Sequence, residues 1–333
     1  MTVTQSVTDP IRVKDVFRSF GDVVAIDGVT MTVPQGALLG LIGPSGSGKT
    51  TLVRMLTGTL LPTSGEIRVL GEDPRAFRRA TRERIGYVPQ DFVLYPDLTA
   101  SENVAFIASL FGIGWWRRRK RVRQVLELLG LWDVRDRLAR DLSGGMRRRL
   151  EVACGLVHEP GVLFIDEPTA GVDPMLSREI WDEFRRLSET RTLLVTTQSV
   201  EEAELCDHVA VLHRGRVIAL DTPEALRHGI WGGEVVEITT ERPIDGEALR
   251  AVPGITRIRQ PGPRKIILVA DDAGAATPLL IEAVRAQNSG VASIDPYQPS
   301  FSEVFAAIVE RAEKERAERQ RVEGEAAAAG TAV

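Results

Sequence analysis

Gly43-Pro44-Ser45-Gly46-Ser47-Gly48-Lys49-Thr50, followed by Thr51, is the stretch from which the rest of this chain is read. Before it stands an apolar run, ALLGLI at 37–42, with the texture of a buried strand; after it TTLVRML at 50–56 opens a helical pattern. The octapeptide fits G-x-x-x-x-G-K-[ST] in the context that pattern requires, strand before and helix after. Its glycines let backbone N–H groups curl around phosphate oxygens, and the helix N-terminus adds favourable polarity. Lys49 neutralises charge on the β- and γ-phosphates, while the Thr50 hydroxyl ligates Mg²⁺. The loop reads as a nucleotide site.

Two further stretches give that site chemistry. Val162-Leu163-Phe164-Ile165-Asp166-Glu167-Pro168 is an apolar strand delivering two acids at its carboxyl end, where open α/β sheets place their ligands. Asp166 suits Mg²⁺ or a water on it, because Mg²⁺ takes hard oxygen ligands. Glu167 is placed to orient or deprotonate an attacking water, which makes hydrolysis the expected reaction. Leu142-Ser143-Gly144-Gly145-Met146 is a second glycine-rich loop opening a helix, hence a second anion site. One nucleoside triphosphate hardly needs two such loops from one chain.

The composition sets the bounds. The 333 residues correspond to about two domains, and 43% hydrophobic with 26% charged residues is the balance of a globular chain. A net charge of −4 gives no global basic field, which argues against a nucleic-acid partner and excludes histones and ribosomal proteins. Two cysteines, Cys154 and Cys206, are too few for a disulfide framework or a four-cysteine zinc site, so free thiols in a reducing compartment are expected. The longest mostly apolar run, 104–116, is about 13 residues and short of a spanning helix. The first residues, MTVTQSVTDP, lack a basic start and an apolar stretch, so no secretory signal is expected. Any membrane role must then come through a partner.

Four zones follow along the chain. Residues 11–70 hold short β-rich runs, 71–160 read mostly as helices at 102–111, 117–129 and 144–157, and from Gly161 strands alternate with helices. Continuous apolar strands in alternation with helices predict a parallel sheet covered on both faces. After residue 230 the texture changes to a small α+β appendage, with strands at GEVVEITT and KIILVAD, a helix at 277–287 and RQPGPRK as a loop. Residues 311–333 begin as a charged helical stretch and are expected to be a solvated or frayed tail.

With LSGG in this order after G-x-x-x-x-G-K-[ST], residues 10–230 resemble the ATP-binding cassette (ABC) transporter ATPases. That resemblance implies an α/β P-loop NTPase core with an N-terminal antiparallel β-subdomain and a helical signature subdomain at about 92–157, the cassette occupying 1–230. It implies ATP and Mg²⁺ as ligands, with Gly43, Pro44, Ser45, Gly46, Ser47, Gly48, Lys49, Thr50 and Thr51 at the phosphates. In the family two cassettes dimerise head to tail, so Ser143, Gly144 and Gly145 would face the nucleotide of a second copy; Met146 replaces the usual Gln. Tyr87-Val88-Pro89-Gln90-Asp91 resembles the Q-loop, which makes Gln90 a ligand of Mg²⁺ or of the attacking water. Ala170-Gly171-Val172-Asp173 resembles the D-loop, placing Asp173 at the dimer interface. Phe20 stands where the family stacks an aromatic on adenine, with Phe17 as the alternative. Gln198 occupies the switch position, where most of the family has His; Gln donates a neutral amide but cannot become cationic near neutral pH. The catalytic set is therefore Glu167, Lys49, Gln90 and Gln198, and the metal set Thr50, Gln90 and Asp166.

The resemblance also implies a separate integral-membrane permease and a peripheral place on the cytoplasmic face of the membrane. Residues 91–116, rich in Leu, Phe, Ile and Trp, are similar to the stretch that receives the permease, and Arg117-Arg118-Arg119-Lys120-Arg121 forms either a solvated helix face or a contact for anionic lipid. An exporter ATPase is the first reading, because the end of the appendage, Pro299-Ser300-Phe301-Ser302-Glu303-Val304-Phe305, is similar to export-branch cassettes. An importer ATPase and a soluble ABC ATPase outside transport are the alternatives.

Overall fold

Ile11, Val13 and Val16 face the core between the exposed Arg12, Lys14 and Asp15, which makes β1 (Ile11–Phe20) a half-buried strand. The two-residue step from Val13 to Lys14 and Asp15 is absorbed by a bulge, with Asp15 at φ +46°. The computed structural model that shows this describes residues 9–90 and 94–330, and side chains to Arg321 apart from 319 and 320. The chain divides into two compact units between Pro223 and Glu224.

In the first unit β2 (Val23–Val33), β3 (Leu38–Ile42), α1 (Lys49–Leu56) and β4 (Ser64–Val69) follow β1. β2, β1 and β4 form a three-stranded antiparallel sheet. Next come α2 (Arg79–Arg82), β5 (Ile85–Val88), α3 (Ala100–Leu110), α4 (Trp115–Leu128) and α5 (Gly144–Leu156). α3 starts at Thr99, whose side chain and that of Glu102 cap each other's backbone N–H groups, and it packs on α4 and α5. β6 (Val162–Asp166), α6 (Pro174–Ser188), β7 (Thr192–Thr197), α7 (Val200–Ala203), β8 (His208–His213) and β9 (Arg216–Asp221) complete the unit.

The main sheet has six strands in the order β5-β6-β7-β3-β8-β9, parallel except for the edge strand β9. Every residue of β3, β6 and β7 is buried, as strands covered on both faces must be. β6 and β3 flank β7, so three loops leave the sheet side by side at the carboxyl ends of neighbouring strands. This is the α/β P-loop architecture expected, with its antiparallel β-subdomain and helical region.

The second unit holds α8 (Pro223–Trp231), β10 (Glu234–Thr240), β11 (Ile255–Gly262), β12 (Lys265–Ala270), α9 (Ala273–Ala286), β13 (Val291–Pro296) and α10 (Phe301–Gly330). Its sheet is antiparallel, in the order β11-β12-β10-β13, over a core including Ile238, Ile266, Leu268, Leu280 and Val284. Several details differ from the sequence reading; the helix expected at 277–287 begins earlier, at Ala273. Most of RQPGPRK is strand, not loop: Gly262 pairs with Lys265, and Pro261 is tolerated because β11 is an edge. β13 was not anticipated, because its burial does not alternate cleanly. The backbone of the charged stretch is helical to Gly330; residues 331–333, the N-terminal 1–8 and Asp91, Phe92 and Val93 lie outside the described residues. No described helix is long and apolar enough to cross a membrane.

Candidate functional site

The loop between β3 and α1 needs glycine twice over. Gly46 and Gly48 adopt φ +75° and +109°, a region that L side chains rarely enter. A Cβ on Gly43 would stand 2.1 Å from the Leu212 carbonyl oxygen, and one on Gly48 2.6 Å from that of Ala25. The loop is therefore wrapped tightly on the sheet, and α1 begins at Lys49 with Thr50 and Thr51 in its first turn. Lys49 is buried; its Nζ donates to the carbonyls of Gly43 (2.8 Å) and Pro44 (3.2 Å) and lies 3.4 Å from Glu167 Oε1.

Glu167 is where the predicted catalytic residues meet. Gln90 Nε2 donates to its Oε2 at 3.2 Å, and Gln198 Nε2 donates to Oε1 and Oε2 at 2.9 and 3.1 Å. Lys49, Gln90 and Gln198 arrive from three different strand ends. Glu167 itself has φ +44°, uncommon for a non-glycine residue, and its N–H donates to Thr196 Oγ1 at 2.9 Å. The same Thr196 hydroxyl donates to Asp166 Oδ1 at 2.5 Å. Asp166 is fully buried, and its Oδ2 has no hydrogen-bond partner among the described residues. Ser47 Oγ is likewise buried without one. An unsatisfied buried carboxylate oxygen is costly unless a cation takes it.

That donor set fits Mg²⁺. Among the described residues no group of three or more His, Cys, Asp or Glu side chains is assembled for a metal. Mg²⁺ does not require one, since it is commonly held by one or two carboxylates, phosphate oxygens and waters. Beyond Glu167 an open cleft of about 670 Å³ runs from Gln90 and Glu167 to Gly144 and Arg147 of α5.

Other predicted residues sit apart from this cluster. Ser143 caps α5, its Oγ accepting from Met146 N at 3.3 Å while its own O–H is available to donate. Gly144 would carry a Cβ into open space, but a Cβ on Gly145 would stand 2.1 Å from Leu176 Cδ2 of α6. No hydrogen bond or ion pair joins Ser143, Gly144 or Gly145 to Lys49 or Glu167 among the described residues. Asp173 Oδ1 caps α6 by accepting from Met175 N and Leu176 N. Phe20 is 47% exposed at the β1–β2 turn, with the Arg18 guanidinium 4.5 Å from its ring centroid. Phe17 instead lies against Gly28, where an added Cβ would come within 3.2 Å of its ring. Cys154 and Cys206 are buried free thiols, pushed far above the usual thiol range first by burial.

Two residues escaped the sequence reading. Arg148 of α5 is buried, and its guanidinium donates to the carbonyls of Pro168 (2.9 Å), Asp166 (3.1 Å) and Pro89 (3.4 Å) while pairing with Glu151. Its signal was present: Gly145, Arg148 and Val152 fall on one buried helical stripe. Glu202 of α7 accepts from the hydroxyls of Thr169 (2.9 Å), Ser177 (2.7 Å) and Thr197 (2.5 Å), joining the strand before Gln198 to the loop after Glu167. No local pattern announces it, because its partners are scattered over 29 residues of sequence, from Thr169 to Thr197.

The family model described as ABC transporter matches residues 26–170. The chain is 38% identical over 233 residues to "Probable multidrug ABC transporter ATP-binding protein YbhF" of Escherichia coli, covering 70% of this chain but 40% of that relative's length. It is 36% identical over 307 residues to the daunorubicin/doxorubicin resistance ATP-binding protein DrrA of Streptomyces peucetius, covering 90% of this chain and 92% of that one. A Nod factor export ATP-binding protein I of Burkholderia lata is 41% identical over 231 residues, 69% and 76% of the two chains. Among solved structures, the dimeric ATP-binding cassette MJ0796 bound to ADP and Pi superposes with a TM-score of 0.57 at 27% identity, covering 64% of this chain and 98% of that one.

Proposed function

The chain belongs to the ABC transporter ATP-binding family, and from that premise we propose that it is the ATP-hydrolysing subunit of an exporter. The observation that carries the proposal is the convergence of Lys49, Gln90 and Gln198 on Glu167, beside the unsatisfied Oδ2 of Asp166. A base at the end of one strand, with a cation and two amides aimed at it from three others, is an arrangement for moving a proton off water next to phosphate.

In this reading residues 43–51 cradle the phosphates of ATP, and Phe20 stacks on the base. Thr50, Gln90 and Asp166 hold Mg²⁺, which when bound neutralises charge on the phosphate oxygens. Lys49 turns from Glu167 to the phosphates, since its ammonium serves one anion best at a time. Glu167, relieved of that ion pair, accepts a proton from the water whose oxygen attacks the γ-phosphorus; the bond to the ADP oxygen breaks and ADP leaves. Gln198 keeps the carboxylate aimed. Ser143, Gly144 and Gly145, which do not reach their own chain's Lys49, serve the nucleotide of a second copy, and Asp173 lies at that interface. Residues 1–230 are the cassette and 231–310 an accessory unit.

The multidrug, drug-resistance and Nod factor export names of the relatives support export; in this reading a separate permease spans the membrane and this chain is peripheral on its cytoplasmic face. The test is a pair of variants. Lys49→Ala should abolish ATP hydrolysis, and Glu167→Gln should bind ATP while hydrolysing it roughly 10²-fold more slowly. With Mg-ATP, Glu167→Gln should accumulate as a dimer in light scattering. Turnover within about twofold of wild type in either variant would overturn the assignment.

A further inference from the structure

Between α3 and α4 the chain turns through Leu110-Phe111-Gly112-Ile113-Gly114-Trp115-Trp116, a stretch without a charge, and continues at once as Arg117-Arg118-Arg119-Lys120-Arg121. Phe111 turns inward and stacks on His158, with ring centroids 3.8 Å apart. Ile113 is half-buried, and three side chains turn outward: Leu110 is 67% exposed, Trp115 50% and Trp116 79%. The two indoles meet edge to face at 4.5 Å, and the Arg119 guanidinium lies 5.2 Å from the Trp115 ring centroid. A Cβ on Gly114 would meet nothing within 4 Å, so the turn projects into open space. The result is an apolar tip bordered by cations.

Those cations are at the wrong end of their helix. The N-terminus of an α-helix carries partial positive charge and favours acids, yet the first turn of α4 contains none, and Gly114 offers no side-chain cap. Consecutive cations there repel the helix end and one another. Further along, Arg121 is paired with Glu159 at 2.9 Å and Arg123 with Glu127 at 2.7 Å. By contrast, no carboxylate lies within ion-pair distance of Arg117, Arg118, Arg119 or Lys120 among the described residues. Among the described residues, therefore, none relieves the electrostatic deficit of this segment, and the neighbouring Trp115 and Trp116 are left exposed.

We propose that this tip, Leu110 to Lys120, docks on the surface of an anionic bilayer. Indoles are amphipathic and settle at headgroup depth, which suits the exposed Trp115 and Trp116. Leu110 sits beside them at the apolar boundary, and Arg117, Arg118 and Lys120 meet lipid phosphates, relieving the crowding at the helix end. One apolar element and one basic cluster together supply the two weak signals that a reversible membrane contact needs. A bilayer fits better than a protein groove, because the surface is a projecting tip with long flexible cations around it rather than a concave pocket. The inference goes beyond the ATPase reading and does not depend on it, since none of these residues lies in the nucleotide site.

The full chain should co-sediment with vesicles of phosphatidylcholine plus phosphatidylglycerol and not with phosphatidylcholine alone, and added salt should weaken the binding. Replacing three cations (Arg117→Gln, Arg118→Gln, Lys120→Gln) should lower vesicle affinity roughly a hundredfold, at about fivefold per charge. Binding should shift tryptophan emission to the blue, and Trp115→Ser with Trp116→Ser should remove that shift although Trp132, Trp181 and Trp231 remain. ATP hydrolysis without lipid should be unchanged in every variant, which confirms folding independently of the vesicle result. Equal binding to neutral vesicles, no binding at all, or wild-type binding by the triple variant would overturn the proposal. So would binding only to membranes that contain a protein partner.

Discussion

Replacing Arg148 with methionine keeps the unbranched stem of the side chain and its helical propensity but removes the guanidinium. That guanidinium serves three carbonyls, of Pro89, Asp166 and Pro168, and neutralises Glu151 in a mostly buried position. Removing one partner of a buried pair typically costs about 3–5 kcal/mol, because the other charge is left behind uncompensated. Three lost charge-assisted bonds push the value toward the upper end, while water reaching the nearby cleft pulls it down. We expect a loss of about 4 kcal/mol at pH 7 for the unfolding transition of the first unit, a large part of a typical domain's 5–15 kcal/mol. The loss should depend on pH. Burial already raises Glu151 above its ordinary 4.5, against the lowering by Arg148, and without Arg148 it rises further. A raised carboxyl contributes stability that is fully present below the unfolded value and is lost as pH rises through the folded one. The difference between variant and wild type should therefore be smallest near pH 4.5 and grow toward neutrality. Urea titrations at several pH values measure it, and Glu151→Leu in the Arg148→Met background should recover part of the loss. A loss below about 1 kcal/mol, or one equal at acid and neutral pH, would refute the reasoning.

Gln198→Ala should reduce turnover about 5- to 30-fold, the worth of one to two kcal/mol of hydrogen bonding to Glu167, while ATP binding persists. Gln198→His should stay active and add an inflection between about pH 6 and 7 that wild type lacks, measurable as hydrolysis from about pH 5.5 to 9. Gly145→Ala should cost about 1–3 kcal/mol by driving a methyl into Leu176, and adding Leu176→Ala should restore part of it in thermal melts. Glu202→Ala should cost about 1–3 kcal/mol by leaving three hydroxyls without their acceptor, and Glu202→Gln, which keeps an acceptor oxygen, less; urea midpoints give the order.

The parts of the site that local sequence dictates were legible. Glycines that permit φ +75° and +109°, a lysine at the start of a helix and two acids closing an apolar strand each follow from a few consecutive residues. What was not legible depends on strands brought together by the sheet. Gln198 was placed in the catalytic set by its position alone, and only the fold shows that its amide donates to Glu167, because the ends of β6 and β7 lie side by side. Arg148 looks like one cation in a run of three, and only packing shows that it is the one turned inward. β13 was missed for a similar reason: an edge strand with half-exposed residues carries little periodic signal.

Register carries the last consequence. Asp166 pairs across the sheet with Thr196, and Ile42, the residue before the glycine loop, with Thr197. Because side chains alternate faces along a strand, a slip of β7 by one residue would turn the Thr196 hydroxyl away from Asp166 and the Glu167 N–H. The sheet therefore works as a vernier for this site: there is no half-aligned state in which the Thr196 hydroxyl still serves both Asp166 and the Glu167 N–H. Under the proposed hydrolysis, a population of molecules should accordingly divide into those that turn over ATP fully and those that do not. Lowered activity in a damaged preparation would then report the fraction correctly assembled, not a uniformly slower enzyme.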